Sequence, residues 1–342
     1  MIKLSHFILA LAACGAASAQ AAGSIDLSRY SVSGSYALDT LFGTSGQGVS
    51  GLEASAVTYA RDRGTLFYVG DEGTGVVEIS KTGQTLSTMR FIGGSNGGWP
   101  TASTNHDSEG LTYLGNGVLV VAEERLQDAY RFTYTGNVNY NQANVTSGVN
   151  LANAQGVSIG GNAGNNGLEG ISYDPRNGSF VSIKQQSPQD ILAGALSFAA
   201  GTAGVSTMSQ LFNPDLMGLT TLSDIQTLSP VDALAGTAAA DNLLVLSLGS
   251  RKLIEVNRAG QVLSFFDLSN VAPHNAIEGV TIDENGTIYL VAEQEQDGST
   301  LDPHSRLIVL SAPVPEPETW AMMLAGLGLL VVVGRRRKSA AA

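Results

Sequence analysis

The chain has 342 residues, 43% hydrophobic and 14% charged, long enough for one large or two ordinary domains and too apolar to be a disordered tail. A balance of 18 Lys and Arg against 30 Asp and Glu gives a net charge of -12, which repels nucleic acid and anionic lipid and excludes nucleic acid as a partner. The 41 glycines follow no Gly-X-Y period and read as turn residues of a many-stranded β protein, and the single cysteine, Cys14, leaves the mature domain without a disulfide or a thiolate metal site.

Residues 1–19 carry Lys3, an apolar run from Phe7 to Ala13 and the small triplet Ala17-Ser18-Ala19. That is the pattern of a secretory signal peptide, handed to the Sec translocon and cleaved after Ala19. Leu11-Ala12-Ala13-Cys14 leaves a second reading open, a lipobox with Cys14 as a lipidated N-terminus.

From residue 24 to 312 the sequence repeats. Segments beginning at Ala54, Ser108, Leu168, Leu222 and Ile277 align, and their anchors Ser55, Glu109, Glu169, Ser223 and Glu278 are spaced by 54, 60, 54 and 55 residues. Each anchor opens an apolar strand, followed by a turn and a second strand: Thr65–Val69, Val118–Ala122, Ser179–Ile183, Leu243–Ser247 and Thr287–Ala292. The turns carry the required chemistry, as in Asp174-Pro175-Arg176-Asn177-Gly178 and Asp283-Glu284-Asn285-Gly286. Third strands follow at Val76–Ile79, Ala129–Tyr134, Leu253–Val256 and Arg306–Leu310, with Leu192–Phe198 the best candidate in the degenerate third repeat. Fourth strands are read at Thr85–Phe91 and Val262–Asp267. Four strands per repeat is the blade of a β-propeller, so the expected fold is all-β with about five blades. The last repeat ends after its third strand, and Ser35–Leu41 is expected to supply the fourth and close the ring. The stretches Gly93–Thr104 and Asn137–Asn166 read as loops, either of which leaves room for a sixth, degenerate blade.

The run Gly64-Thr65-Leu66-Phe67-Tyr68-Val69-Gly70-Asp71-Glu72, the Glu-Gly starts and Val280–Glu293 resemble the SdiA-regulated family of β-propellers across most of residues 50–311. The resemblance implies a fold and no established activity. The chain departs from the family pattern at Ser55-Ala56 and in the Ala-rich loop Pro230–Ala240.

The C-terminus, residues 313–342, reads Val314-Pro315-Glu316-Pro317-Glu318-Thr319-Trp320, then an apolar segment over 320–334, then Arg335-Arg336-Arg337-Lys338. The apolar segment is just long enough to span a bilayer, and its basic end stays cytoplasmic. This tail resembles the PEP-CTERM sorting signal, which implies recognition of Pro315, Glu316 and Pro317 by an exosortase in a Gram-negative bacterium that makes exopolysaccharide. The implied course is transient anchoring by a transmembrane helix, then release to the cell surface or extracellular matrix. A plain membrane anchor is the other reading of the same residues.

Glu109, Glu169 and Glu278 open the innermost strands of three blades, so they are expected to converge on one mouth of the central channel. Like charges that close raise one another's pKa or recruit a cation, and carboxylate oxygens suit Ca²⁺ or Mg²⁺. The alternative is that each Glu accepts backbone N–H bonds from the next blade and fastens the ring. A second acidic tier, Asp71, Glu123 and Glu293, lies at the ends of the second strands, with Lys184 in the matching place to pair with it. His106 and His274 sit in the loops entering the Glu109 and Glu278 strands and are candidate general bases or ligands. Trp99, Tyr134 and Tyr140 are candidate stacking platforms for sugars. Two functions follow: a binding module for extracellular polysaccharide, a surface protein or a cation, or a divalent-metal-assisted ester or phosphoester hydrolase working in the channel.

Overall fold

The computed structural model describes residues 24–38, 49, 53–71, 74–92, 106–136, 148–186, 188–295, 304–312 and 326. The signal peptide with Cys14 and Ala19, the sorting motif, the apolar segment 320–334 apart from Gly326, Trp99 and Tyr140 lie outside them. Among the described residues no helix is long and apolar enough to cross a membrane. The chain divides into two compact units, residues 1–311 and 312–342.

The first unit is a five-bladed β-propeller, its five sheets antiparallel except where Thr85–Phe91 pairs parallel with Gly148–Val149. The innermost strands are Ala54–Ala60, Ser108–Gly115, Leu168–Asp174, Leu222–Thr227 and Asn275–Ile282. Period-2 alternation sends successive side chains of a blade to opposite neighbours. Phe67 and Val69 of the first blade pack with Leu111, Leu119 and Val121 of the second, while Leu66 and Tyr68 pack with Tyr289 and Val291 of the fifth. The hydrophobic core is accordingly divided into five clusters, one at each junction between blades.

Closure uses the N-terminal segment as expected, four residues earlier than the sequence reading placed it. Ser31–Ala37 pairs antiparallel with Arg306–Ser311 and completes the fifth blade. The strand is a polar edge with mostly exposed side chains, so alternation does not fix its register in the sequence. In the second blade the fourth strand is Gln155–Ser158, inside the stretch read as a loop. In the third blade the third strand is Asp190–Gly194, and Leu196–Ser197 turns away to pair with Val205–Ser206 in a separate ribbon.

The loop after Thr227, where the chain departs from its family pattern, straps three blades together. It forms two 3₁₀ turns, Asp232–Leu234 and Ala238–Asp241, whose Val231, Leu234 and Ala239 pack on Leu27 and Tyr30. The Asp232 backbone N–H donates to Glu284 O of the fifth blade (2.9 Å), and the Asp232 carboxylate pairs with Arg61 of the first.

A belt of buried hydroxyls fastens the inner strands. Thr58 Oγ1 accepts the backbone N–H of Tyr113, Thr112 Oγ1 that of Tyr173, Ser172 Oγ that of Thr227 and Thr281 Oγ1 that of Tyr59, at 3.0–3.1 Å. Gln226 Oε1 closes the circle by accepting from the Thr281 hydroxyl (3.1 Å). Thr112→Val keeps shape but strands a buried amide, at an expected cost of about 1–3 kcal/mol in chemical denaturation. A loss below about 0.5 kcal/mol, the size of a neutral surface change, would show that the belt does not fasten the ring.

Candidate functional site

All five inner strands carry a register shift at the anchor position. The shifts lie between Ala54 and Ala56, Ser108 and Gly110, Leu168 and Ile171, Leu222 and Asp224, and Ile277 and Gly279. A bulge re-aims the side chain it carries, so Ser55, Glu109, Glu169, Ser223 and Glu278 leave the blade-to-blade alternation together. The glycines that follow explain the Glu-Gly pairs. A Cβ on Gly110 would stand 2.9 Å from Glu169 O, one on Gly170 2.7 Å from Ile225 N, and one on Gly279 2.9 Å from Ser55 O, in each case the next blade's inner strand.

Among the described residues none of the three glutamates accepts a backbone N–H. Fastening falls instead to the hydroxyl belt and to Asp224, which stands where three of the other repeats have glycine and the first has Ala56. Asp224 accepts from the Val280 N–H of the fifth blade and from its own Ile225 N–H, both at 2.7 Å. Its burial pushes its pKa well above the ordinary carboxylate range, against the pull of those two bonds.

Asp71 and Glu293 of the second acidic tier join the glutamates in a single cluster rather than a separate layer, while Glu123 accepts from the Leu126 backbone N–H. Asp71, Asp107 and Glu109 bring one carboxylate oxygen each within 4.8 Å of the others, and Asp107 and Glu109 are buried. Among the described residues no amide, hydroxyl or cationic donor reaches Asp71 Oδ1 or Asp107 Oδ1. Burial, reinforced by the charges of Glu169, Glu278, Asp107 and Asp71, holds Glu109 protonated well above its ordinary value. Burial raises Glu169 in the same way, helped by Glu124, and raises Glu278, helped by Glu293. Asp71 is pushed up to about 8 by burial and by its contact with Asp107, and Glu124 to about 7 by burial and the charge of Asp107. Asp107 alone moves down, because hydrogen bonds with Asp71 and Glu109 and the charge of Arg125 outweigh its burial. Arg125 Nη2 lies 2.7 Å from Asp107 Oδ2.

Glu169 and Glu278 act on Glu109 through their charge but do not belong to the converging trio. Asp107 and Glu124 escape the sequence reading. The signal for Asp107 is its place two residues before Glu109, at the entrance to the same inner strand. Lys184 does not serve the second tier. It pairs in register with Leu168 and Asp190 and forms no ion pair among the described residues. His106 Nδ1 lies 3.8 Å from Glu123 Oε1, and His274 is half-buried in the loop before the fifth inner strand. Tyr134 is buried, its hydroxyl 2.8 Å from Ser87 Oγ, and is no sugar platform.

A family model described as SdiA-regulated matches residues 36–295, and one described as a PEP-CTERM protein-sorting motif matches residues 313–338. Solved structures of similar backbone include a luciferin-regenerating enzyme, at 11% identity over 81% of this chain and 95% of that chain (TM-score 0.45). A streptogramin B lyase matches at 8% identity over 84% and 100% (TM-score 0.39). The Cps50 (Swd1) β-propeller domain of Myceliophteria thermophila matches at 13% identity over 80% and 71% (TM-score 0.34).

Proposed function

The chain belongs to the SdiA-regulated family, and we propose that it is an exported binding module whose propeller holds a divalent cation, Ca²⁺ before Mg²⁺, at the acidic mouth of its channel. The PEP-CTERM motif implies export, membrane-anchored sorting in a Gram-negative bacterium and processing by an exosortase. The cell surface or exopolysaccharide matrix as the final destination, with an extracellular polysaccharide or surface protein as partner, belongs to the proposal.

The observation that carries the cation is the convergence of Asp71, Asp107 and Glu109, with further carboxylates around them and Arg125 already committed to Asp107. Buried carboxylates this close cannot all ionise unaided, and a hard cation with oxygen ligands removes that cost. Ca²⁺ is preferred because it accepts many carboxylate oxygens in irregular geometry, whereas Mg²⁺ demands a near-octahedral shell. A second reading, hydrolysis of esters or phosphoesters at the same cation, is favoured by one observation. His106 adjoins Asp107 in the chain, and its Nδ1 lies 3.8 Å from Glu123 Oε1.

Calorimetric titration of the full chain with CaCl₂ and MgCl₂ tests the cation. Saturable binding is expected, weakened about tenfold or more in Asp107→Asn and Glu109→Gln, each of which removes a charged oxygen ligand. Absence of saturable heat from either ion, or binding unchanged in both variants, would overturn the reading. Turnover of p-nitrophenyl acetate or bis(p-nitrophenyl) phosphate that requires both Ca²⁺ and His106 would favour the hydrolase.

A further inference from the structure

A second open space lies at the other end of the inner strands, away from the acids. It is a cavity of about 520 Å³ whose lining includes the belt residues Thr58, Thr112 and Thr281. Its size falls within the roughly 300–1,000 Å³ of small-ligand sites, and it is too large for an ion alone. Tyr59, Tyr113 and Tyr173 all line it, because each directly follows the belt hydroxyl of its repeat and so reaches the same end of the channel. Pro175 and Pro230 add two rigid apolar surfaces.

The polar groups are few and placed together. Asp62 Oδ2 accepts from the Tyr113 hydroxyl and from the Asn116 backbone N–H, both at 3.0 Å. The carboxylate is thereby fixed, and its Oδ1 has no donor among the described residues. The exposed Asn116 carboxamide in the adjoining turn makes no hydrogen bond among them either. Arg61, the one cation among the lining residues, is matched by a bidentate pair with Asp232, 2.9 Å on each arm. The cavity therefore offers no uncompensated positive charge to a phosphate or carboxylate.

We propose that this cavity binds a neutral oligosaccharide. A sugar ring has apolar C–H faces and a hydroxyl edge. The half-buried rings of Tyr113 and Tyr173 and the two prolines suit the faces, while Tyr59 is packed into the junction behind them, and an acceptor beside a donor suits two adjacent hydroxyls, one donating to Asp62 and one accepting from Asn116. Tyrosine supplies this contact at low conformational cost, because the belt and the blade junctions already hold the backbone from which the rings project.

The test is calorimetry on the full chain in EDTA, which silences the acidic mouth, with cellotetraose, maltotetraose, mannotetraose and chitotetraose, and with tetragalacturonate as the anionic probe. At least one neutral tetrasaccharide is expected to bind in the micromolar-to-millimolar range. Asp62→Ala and Asn116→Ala, both exposed sites, should each weaken it about tenfold, the loss of a hydrogen bond to a hydroxyl, while the thermal midpoint falls only slightly, through the two bonds that Asp62 accepts and the φ of 53° at Asn116. Tyr113→Phe should retain stacking and most of the affinity. Binding of tetragalacturonate alone, heat from none of the neutral sugars, or neutral binding unchanged in the Asp62→Ala/Asn116→Ala double variant would each overturn the proposal. The cation reading survives any of these results, since its ligands lie at the other mouth and its titration uses no sugar.

Discussion

In chelator, the thermal midpoint of the full chain is expected to fall by several degrees as pH rises from 5 to 8, and saturating Ca²⁺ should abolish most of that fall. The unfolded chain releases its carboxyl protons near the ordinary value of about 4. The folded chain holds the Asp71 proton to about 8 and the Glu124 proton to about 7, and holds those of Glu109, Glu169 and Glu278 well above the ordinary range. Between these limits the native state binds more protons than the unfolded one, so stability is full at low pH and is lost as pH rises through the folded values. Asp107, Glu78 and Asp174 shift the opposite way, so the stability they contribute is lost only on acidification below about 4, outside this window. A cation binds the ionised cluster, so its stabilisation grows across the same range. A midpoint that is flat or rising from pH 5 to 8 in chelator would refute the proton-holding cluster. A fall that Ca²⁺ leaves untouched would separate the cluster from any cation.

Gly170→Val is expected to cost about 3 kcal/mol and to lower the midpoint by roughly 6–12 °C. The new Cβ would meet the Asp224 carboxylate and stand 2.7 Å from Ile225 N, both on the inner strand of the fourth blade. Relieving that contact means moving Asp224, whose bond to the Val280 N–H joins the fourth blade to the fifth. One side chain would thus loosen two junctions. Gly64→Val, at a turn glycine whose Cβ would meet nothing within 4 Å, is the comparison. It tests backbone strain alone, since Gly64 has a φ of 67°, and it should cost less. Equal losses in the two variants would show that close approach of the blades is not what the glycine serves.

The blade repeat was legible because two kinds of signal coincide in it, an anchor period and turn chemistry at fixed offsets from it. The elements that were displaced or missed lack alternation. Ser31–Ala37 and Gln155–Ser158 are held by backbone pairing in the outer part of their sheets, and little in their side chains marks them as strands. At the site, the repeat located Glu109, Glu169 and Glu278 along their strands, and the structure supplies what period cannot, the rotation that a bulge imposes. That rotation gathers Asp71, Asp107 and Glu109, which the sequence had assigned to separate levels or passed over. Lys184 shows the converse, since an equivalent place in the repeat did not give it an equivalent environment. The belt was visible as a hydroxyl before each tyrosine in Thr58-Tyr59, Thr112-Tyr113 and Ser172-Tyr173, but nothing in one sequence says that a repeated threonine bonds to the next repeat rather than within its own.

The fastening of the first strand to the last sets the timing of folding. The Ser33 and Ser311 hydroxyls meet at 2.7 Å although 278 residues separate them. Loop-closure entropy grows only logarithmically with length, so this pairing costs the finished fold little more than a far shorter loop would. Its kinetic weight is larger, because pairing at such separation comes late. A chain exported N-terminus first delivers Ser31–Ala37 across the membrane at the outset and Arg306–Ser311 near the end. Until then the blades form an open stack with two bare edges, and the ring becomes resistant to proteases only when translocation has brought almost the entire propeller across.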